Sequence, residues 1–221
     1  MFGLDDYLAS LSGGGSILVV LLVATLLGLR HATDPDHIAA ITTLVASGQE
    51  HARRQAAALG AWWGLGHAVT LVVFGVPILL FEPYLPESVQ RGAETAVAAL
   101  IVYLAVRLLV RHRHRHAHGR HQVRSPLAAF SIGLVHGLGG SAGVGVLLLA
   151  AIPSTALAVA SLVVLALFTG VSMTVVTTGF GATLASRPEA VRTAAPLLGL
   201  ASLAFGCWYA AAAWSLMPYP F

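Results

Sequence analysis

The sequence contains no lysine, a single cysteine and few charged residues of any kind. Charged side chains make up 10% of its 221 residues, hydrophobic ones 57%, and the mean hydropathy is +0.82. Soluble domains carry about 25% charged residues, so a soluble globular protein is excluded. The lone Cys207 excludes a disulfide framework and a thiolate metal cage, and we expect it to be a small core residue. No ATP-binding motif occurs, which excludes nucleotide coupling within this chain, and the absence of H-E-x-x-H argues against a zinc hydrolase.

Apolar runs long enough to cross a bilayer as helices occur six times. A span needs roughly 20 helical residues to cross about 30 Å of hydrocarbon. Runs such as "ILVVLLVATLLGL" lack the alternation of polar and apolar residues that barrel strands show. The sequence therefore predicts an all-α fold, a polytopic membrane bundle of six transmembrane helices. The predicted spans are residues 15–46, 56–81, 93–110, 126–151, 155–184 and 194–217.

The arginines lie almost entirely on one side of this predicted topology. Only Arg91 lies on the other side, beside three glutamates. The positive-inside rule then predicts a cytoplasmic-membrane protein with both termini outside. Asp5 and Asp6 stand where a secretory leader would carry a basic residue, so we expect no cleaved signal peptide. The predicted cytoplasmic arginines are Arg53, Arg54, Arg107, Arg111, Arg113, Arg115, Arg120, Arg124, Arg187 and Arg192.

A short sequence repeat relates the two halves of the chain. "GLRH" at residues 28–31 returns as "GLVH" at 133–136, and helix-breaking residues follow each copy. "GHAVTLVV" from Gly66 also aligns with "GVSMTVVT" from Gly170. Because each half has three spans, the halves would enter the membrane from opposite sides, which predicts a 3+3 inverted repeat with interrupted first and fourth helices. The halves are residues 1–110 and 126–221, joined by a loop at 111–125; chance similarity of Gly-rich apolar segments is the alternative.

The segment "GLRHATDPDHIAAI", residues 28–41, places several ionisable groups inside the first predicted span. A charge in the membrane costs at least a few kcal/mol, so such a cluster indicates function. On an unbroken helix Asp36 would point away from His31 and His37, but Pro35 opens the helix and lets all three face one cavity. Two imidazoles and a carboxylate suit a divalent transition metal, whereas calcium and magnesium prefer oxygen ligands alone.

Two further histidines lie in other predicted spans. His67 and His136 are flanked by glycines that allow close helix approach. Each is interpreted as a further ligand of the same metal ion or as a ligand at an intermediate position on the transport path. The alternative for each is a hydrogen bond to a neighbouring helix carbonyl. Arg30 is expected to pair with Asp34, which makes Asp34 a structural residue behind the metal ligands.

Two of these motifs resemble those of the nickel/cobalt permeases. "RHATDPDH" fits that family's His, four residues, Asp-His signature, and "GLGHAVTLVV" resembles its next Gly-His motif. The resemblance implies that His31, Asp36 and His37 bind metal, together with His67. The later helices lack the family's Asp-Thr motifs, and the short chain is similar to the compact nickel permeases that accompany urease genes.

The segment "RHRHRHAHGRH", residues 111–121, is a low-complexity loop with alternating histidine and arginine. Such tracts bind nickel, cobalt or zinc weakly, so one interpretation is an auxiliary metal buffer or sensor. The other is a polybasic loop that fixes topology and contacts anionic lipids. Its histidines are His112, His114, His116, His118 and His121.

The function predicted from these observations is a secondary permease for Ni²⁺, with Co²⁺ not distinguished. Uptake driven by the membrane potential is favoured, and export by proton exchange is the alternative. An intramembrane zinc hydrolase is a weaker alternative, because the sequence offers no obvious Glu or Asp as general base once Asp36 is a ligand. We therefore expect no enzyme activity and no cofactor, with the metal ion as cargo. The bilayer is the other expected partner, nucleic acid is not expected, and the oligomeric state is open.

Overall fold

The computed structural model of the chain describes residues 17–46, 52–81, 86–114, 125–137, 139, 145–146, 149–186 and 188–218. All regular secondary structure in these residues is α-helical, which confirms the predicted all-α class. The helices are α1 (Ile17–His31), α2 (Pro35–Ala46), α3 (Ala52–Phe81), α4 (Glu87–His114), α5 (Pro126–His136), α6 (Thr155–Ser186) and α7 (Pro188–Ala213).

Four of these helices, α3, α4, α6 and α7, are long and apolar enough to cross a membrane. Helices α1 and α2 meet the same test only as a pair, in which one span is bent by 42°. The protein is therefore a multi-pass membrane protein. The fourth predicted span contains helix α5, whose 11 residues are too few to cross alone. Residues 138, 140–144 and 147–148 lie outside the described residues, so a sixth span stays a prediction.

The first span is interrupted where the sequence predicts. Helix α1 ends at His31, and the backbone N–H of Thr33 donates to the Arg30 carbonyl at 2.8 Å, which tightens the last turn. Pro35 is the first residue of α2, a position where its missing N–H costs no helical hydrogen bond. The break thus turns the side chains of Asp36 and His37 relative to those of α1.

Helix α3 packs along α5 and α6. It crosses α5 at Gly66 and Gly133, where a Cβ on either glycine would overlap the backbone of the other helix. The Thr70 hydroxyl donates to the Leu134 carbonyl at 3.0 Å and joins the same two helices. Small residues and interhelical hydrogen bonds of this kind bring membrane helices into close contact.

The helix pairs exchange partners between the halves of the chain. The short helix α1 packs on α6, the long helix of the second half, whereas the short helix α5 packs on α3, the long helix of the first half. Helices α4 and α7, the last of each half, pack on each other. A 3+3 inverted repeat would give this exchange, and the repeat itself stays a prediction.

Large apolar side chains cover the outside of the bundle, among them Val73 and Phe74 of α3 and Leu197 of α7. Cys207, on the same helix α7, is also exposed, so its predicted place in the core is wrong. The physical reason is that a membrane bundle is apolar on its outer faces as well as inside, so the apolar character of a span does not locate its buried face.

Candidate metal centre

The structure brings together five polar residues that the sequence singles out. His31 is the last residue of α1, and Asp36 and His37 lie in the first turn of α2. His67 lies in the middle of α3, and His136 is the last residue of α5. All five are buried, and four of them are no more than 1% exposed. Two halves of the chain and four helices therefore contribute to one buried polar cluster.

Asp36 connects the first half of the chain to the second. Its Oδ1 accepts a hydrogen bond from the His37 backbone N–H at 3.0 Å and lies 3.1 Å from His37 Nδ1. Its Oδ2 lies 3.1 Å from Nε2 of His136. Because an ionised carboxylate only accepts hydrogen bonds, both histidines donate to it. Asp36 thus holds the two rings in defined orientations.

A second carboxylate lies behind His31. Asp34 Oδ2 is 3.3 Å from His31 Nδ1, and Asp34 Oδ1 is 3.4 Å from the Arg30 guanidinium. The sequence-based expectation that Arg30 pairs with Asp34 agrees with this contact. On the other side of its ring, His31 Nε2 lies 2.9 Å from Nε2 of His67. Asp34 therefore favours a proton on Nδ1 of His31 and directs Nε2 towards the cluster.

Three imidazole nitrogens in the cluster have no hydrogen-bond partner among the residues that the structure describes. They are His37 Nε2, His67 Nδ1 and His136 Nδ1, and all three are buried. When one nitrogen of a neutral imidazole donates, the other keeps a lone pair. His37 and His136 donate to Asp36, so their remaining nitrogens carry lone pairs, which are the groups that coordinate a divalent metal ion.

The donor atoms fall into two groups of three. One group is His31, His37 and His67, and the other is Asp36, His37 and His136. Within each group the nitrogen and oxygen atoms all lie within 4.8 Å of one another. Each group therefore has the composition and spacing to hold one divalent cation, and His37 belongs to both.

Trp63 is a member of the cluster that sequence reasoning missed. It is fully buried, and its ring centroid lies 5.6 Å from those of both His37 and His136. It precedes His67 by one helical turn on α3, so both side chains lie on the same face. That four-residue spacing in "WWGLGH" was the available signal. The aromatic ring excludes water from one side of the histidines.

The histidine-rich loop cannot be compared with its prediction. His112 lies near the end of α4, and the side chain of His114 and all of His116, His118 and His121 lie outside the described residues. Residues 1–16 also lie outside the described residues. The interpretation of the loop as a metal buffer or a polybasic segment stays open.

The geometry favours binding of a cation over hydrolysis. The buried donors are imidazoles and one carboxylate, a set suited to borderline divalent transition metals. When Asp36 serves as a metal ligand together with His37 and His136, it is no longer available as a general base for water. The other buried carboxylate of this region, Asp34, faces His31 and Arg30.

Comparison with known proteins confirms the resemblance to nickel permeases over the first half of the chain. Residues 17–111 match the family model NicO, described as high-affinity nickel-transport protein. This segment includes His31, Asp36, His37 and His67, but His136 lies beyond it. The matched family is one of transporters and not of enzymes.

Two curated relatives are similar to this chain. The urease accessory protein UreH of Bacillus sp. (strain TB-90) is 28% identical over 139 residues, which cover 57% of this chain and 60% of the relative. The high-affinity nickel transport protein of Cupriavidus necator (strain H16) is 36% identical over 94 residues, 42% of this chain and 26% of the relative. The alignments thus span less than two thirds of either relative. No solved structure matches the chain significantly.

Proposed function

We propose that this chain, whose residues 17–111 match a family of high-affinity nickel-transport proteins, is a permease that carries Ni²⁺ across the cytoplasmic membrane. The single observation that carries the proposal is the buried cluster of four histidines and Asp36 inside a bundle of membrane-spanning helices. Ionisable groups at such a depth mark ion pathways, because burying them costs several kcal/mol.

The ligand types support nickel as the cargo. Imidazole nitrogens and one carboxylate oxygen provide borderline donors, which suit Ni²⁺ and Co²⁺ better than the hard cations Mg²⁺ and Ca²⁺. A relative of this chain is named a high-affinity nickel transport protein, and nickel is therefore the first substrate to test. Co²⁺ has similar ligand preferences, so we name it as the second.

The direction that we propose is inward. A cation with two positive charges is drawn towards the negative side of the membrane, so uptake needs no second ion. The arginine bias of the connecting segments places that negative, cytoplasmic side at residues 47–55, 107–125 and 185–192. Both termini then lie outside, and the histidine-rich loop lies in the cytoplasm.

Uptake of radioactive nickel by cells that express the chain tests this function. We expect cells with the wild-type protein to accumulate nickel and cells with His37→Ala to accumulate at least about tenfold less. His37 contacts Asp36 and lies within 4.5 Å, centroid to centroid, of the His31 ring, so its loss removes a donor from both groups.

Ser161→Ala is the matched control for this experiment. Ser161 is as buried as His37, but it lies on α6 and contributes to neither donor group. We expect this variant to accumulate nickel at the wild-type rate. The test compares cells that express the wild-type protein or His37→Ala at equal levels with cells that do not express the chain. Equal nickel accumulation in all three would rule out nickel transport by this chain.

A further inference from the structure

The five donor residues do not form a single group around one point. Among the residues that the structure describes, the mutually close donor atoms divide into the two groups of three, and only His37 is common to both. The His67 and His136 rings, which belong to different groups, are 6.2 Å apart, whereas His37 lies 5.1 Å from the first and 4.4 Å from the second. His37 is therefore the centre of the cluster.

From this arrangement we infer that the cluster holds two successive positions for the transported cation, and that the cation passes between them while it stays bound to His37. This inference rests on the proposed transport function and deepens it. The first position lies between His31, His37 and His67. The second lies between Asp36, His37 and His136, and it needs a side chain from the second half of the chain.

The two positions offer different ligands. The first provides three imidazole nitrogens, and the second provides two nitrogens and a carboxylate oxygen. A cation in the second position takes the place of the hydrogen bonds that Asp36 accepts from His37 and His136. A pathway conducts well when each stop binds firmly enough to capture the ion and weakly enough to release it. An ion that exchanges two ligands around a shared third never loses its whole coordination sphere, so transfer between adjacent stops avoids bringing an unliganded dication into the protein interior.

The two positions are filled one at a time. They share His37, and the rings of His67 and His136, one from each position, are 6.2 Å apart. Two dications at such a separation repel each other strongly in a buried environment. The inference thus requires a stoichiometry of one metal ion per chain, although two alternative ligand sets exist.

Metal binding to purified full-length protein in detergent tests the inference. We would titrate Co²⁺ by its visible absorption, which reports the ligand set, and Ni²⁺ by equilibrium dialysis. All variants would carry glutamine in place of the loop histidines, so that the loop does not contribute metal binding. These loop histidines are His112, His114, His116, His118 and His121.

Three variants separate the two positions. The double variant His31→Gln/His67→Gln leaves the second position intact, and His136→Gln leaves the first. We expect each to bind one Co²⁺ per chain, with absorption spectra that differ from each other. His37→Gln removes the ligand common to both, and we expect its affinity to fall by at least about 100-fold. Ser161→Ala is the control, with wild-type binding expected.

Transport gives an independent reading on the same variants. In proteoliposomes we expect His136→Gln to bind Co²⁺ and yet to carry nickel at least about tenfold more slowly than wild type, because the cation is captured but not passed on. A single structural role for His136 would instead reduce binding and transport together. Thermal unfolding identifies any variant that does not fold. If the double variant does not fold, the comparison of metal binding with nickel transport in His136→Gln decides between a transport role and a structural role of His136.

Several results would overturn the inference. If the folded double variant binds no metal, the group of Asp36, His37 and His136 is not a cation position. If His136→Gln shows the wild-type spectrum and the wild-type transport rate, the pathway has no second stop. If wild-type protein carries no nickel at all, the proposed function fails, whereas nickel transport combined with either of the first two results contradicts only the two-position inference.

Discussion

At the scale of single residues, Asp34 shows how a side chain outside the donor groups can act on a metal ligand, here His31. It is 1% exposed and lies between the Arg30 guanidinium and the His31 ring. A carboxylate behind a metal-binding histidine fixes the ring orientation and makes the nitrogen a better donor. Arg30 in turn neutralises the buried carboxylate, which accounts for a positive residue beside a cation pathway.

We therefore expect Asp34→Asn to weaken nickel binding by about 10- to 100-fold, the range seen when groups behind metal ligands are lost. Asparagine keeps the size of the side chain but not its charge, so the orientation of His31 is no longer enforced. The measurement is the nickel concentration that gives half-maximal uptake. The exposed Thr33→Ala, in the same break between α1 and α2, is the control and should match wild type. Unchanged half-saturation in Asp34→Asn would show that Asp34 does not position His31.

Sequence reasoning selected the histidines and Asp36 as candidates because charged and polar residues are unusual in apolar spans, and the structure brings these candidates together. It could not assign the two donor groups, since these depend on the rotation between α1 and α2 and on where α5 ends. It also missed Trp63, because the four-residue spacing between Trp63 and His67 does not by itself show that the tryptophan ring packs against His37 and His136. The sequence thus indicates which side chains are unusual in an apolar span and that near neighbours such as Arg30 and Asp34 pair, but not which residues of different helices meet.

At the scale of helices, the position of His136 depends on the crossing of α3 and α5. Gly66 and Gly133 face each other with no room for a side chain, and the Thr70 hydroxyl ties α3 to the last turn of α5. The added Cβ of Gly133→Ala would overlap the Trp63 carbonyl and push α5 away from α3. Such overpacking costs about 1–3 kcal/mol of stability.

Gly133→Ala is therefore expected to unfold at a lower temperature and to take up nickel more slowly, because His136 moves away from Asp36. Thermal unfolding in detergent and cellular nickel uptake measure the two effects. Gly92→Ala is the control, since a Cβ at Gly92 would meet nothing within 4 Å and alanine favours the helix by about 1 kcal/mol. A Gly133→Ala protein with wild-type stability would show that the close crossing is not required.

The interruption of the first span was predictable because proline restricts both itself and the residue before it. For the fourth span, the Gly-rich stretch after His136 predicted an interruption but not the residue at which α5 ends, since glycine permits many conformations and specifies none. The bounds of α4 and α7 extend six residues beyond the predicted starts at 93 and 194, to Glu87 and Pro188. Polar residues continue these helices past their apolar segments, and hydropathy alone does not detect such extensions.

At the scale of the whole molecule, the all-helical class follows from composition, but the number of spans and the arrangement of the helices do not. The exchange of partners, α1 with α6 and α5 with α3, agrees with the inverted repeat that "GLRH" and "GLVH" suggest. In such a repeat the two interrupted helices meet at the centre, and both end in a histidine of the cluster. A site on the seam between halves is a natural place for alternating access to the two sides of the membrane.

If the chain carries nickel inward as proposed, the membrane potential is the expected driving force, because the cation has two positive charges. Moving a dication across 100 mV gains about 4.6 kcal/mol, which corresponds to more than a thousandfold accumulation. In proteoliposomes with a potassium diffusion potential, negative inside, we expect the nickel ratio at equilibrium to rise about tenfold for every 30 mV or so. Vesicles without potential are the control and should only equalise nickel. Accumulation that does not depend on the potential but follows an imposed pH gradient would contradict this prediction. The ion would then move in exchange for protons, and the same cluster would serve export.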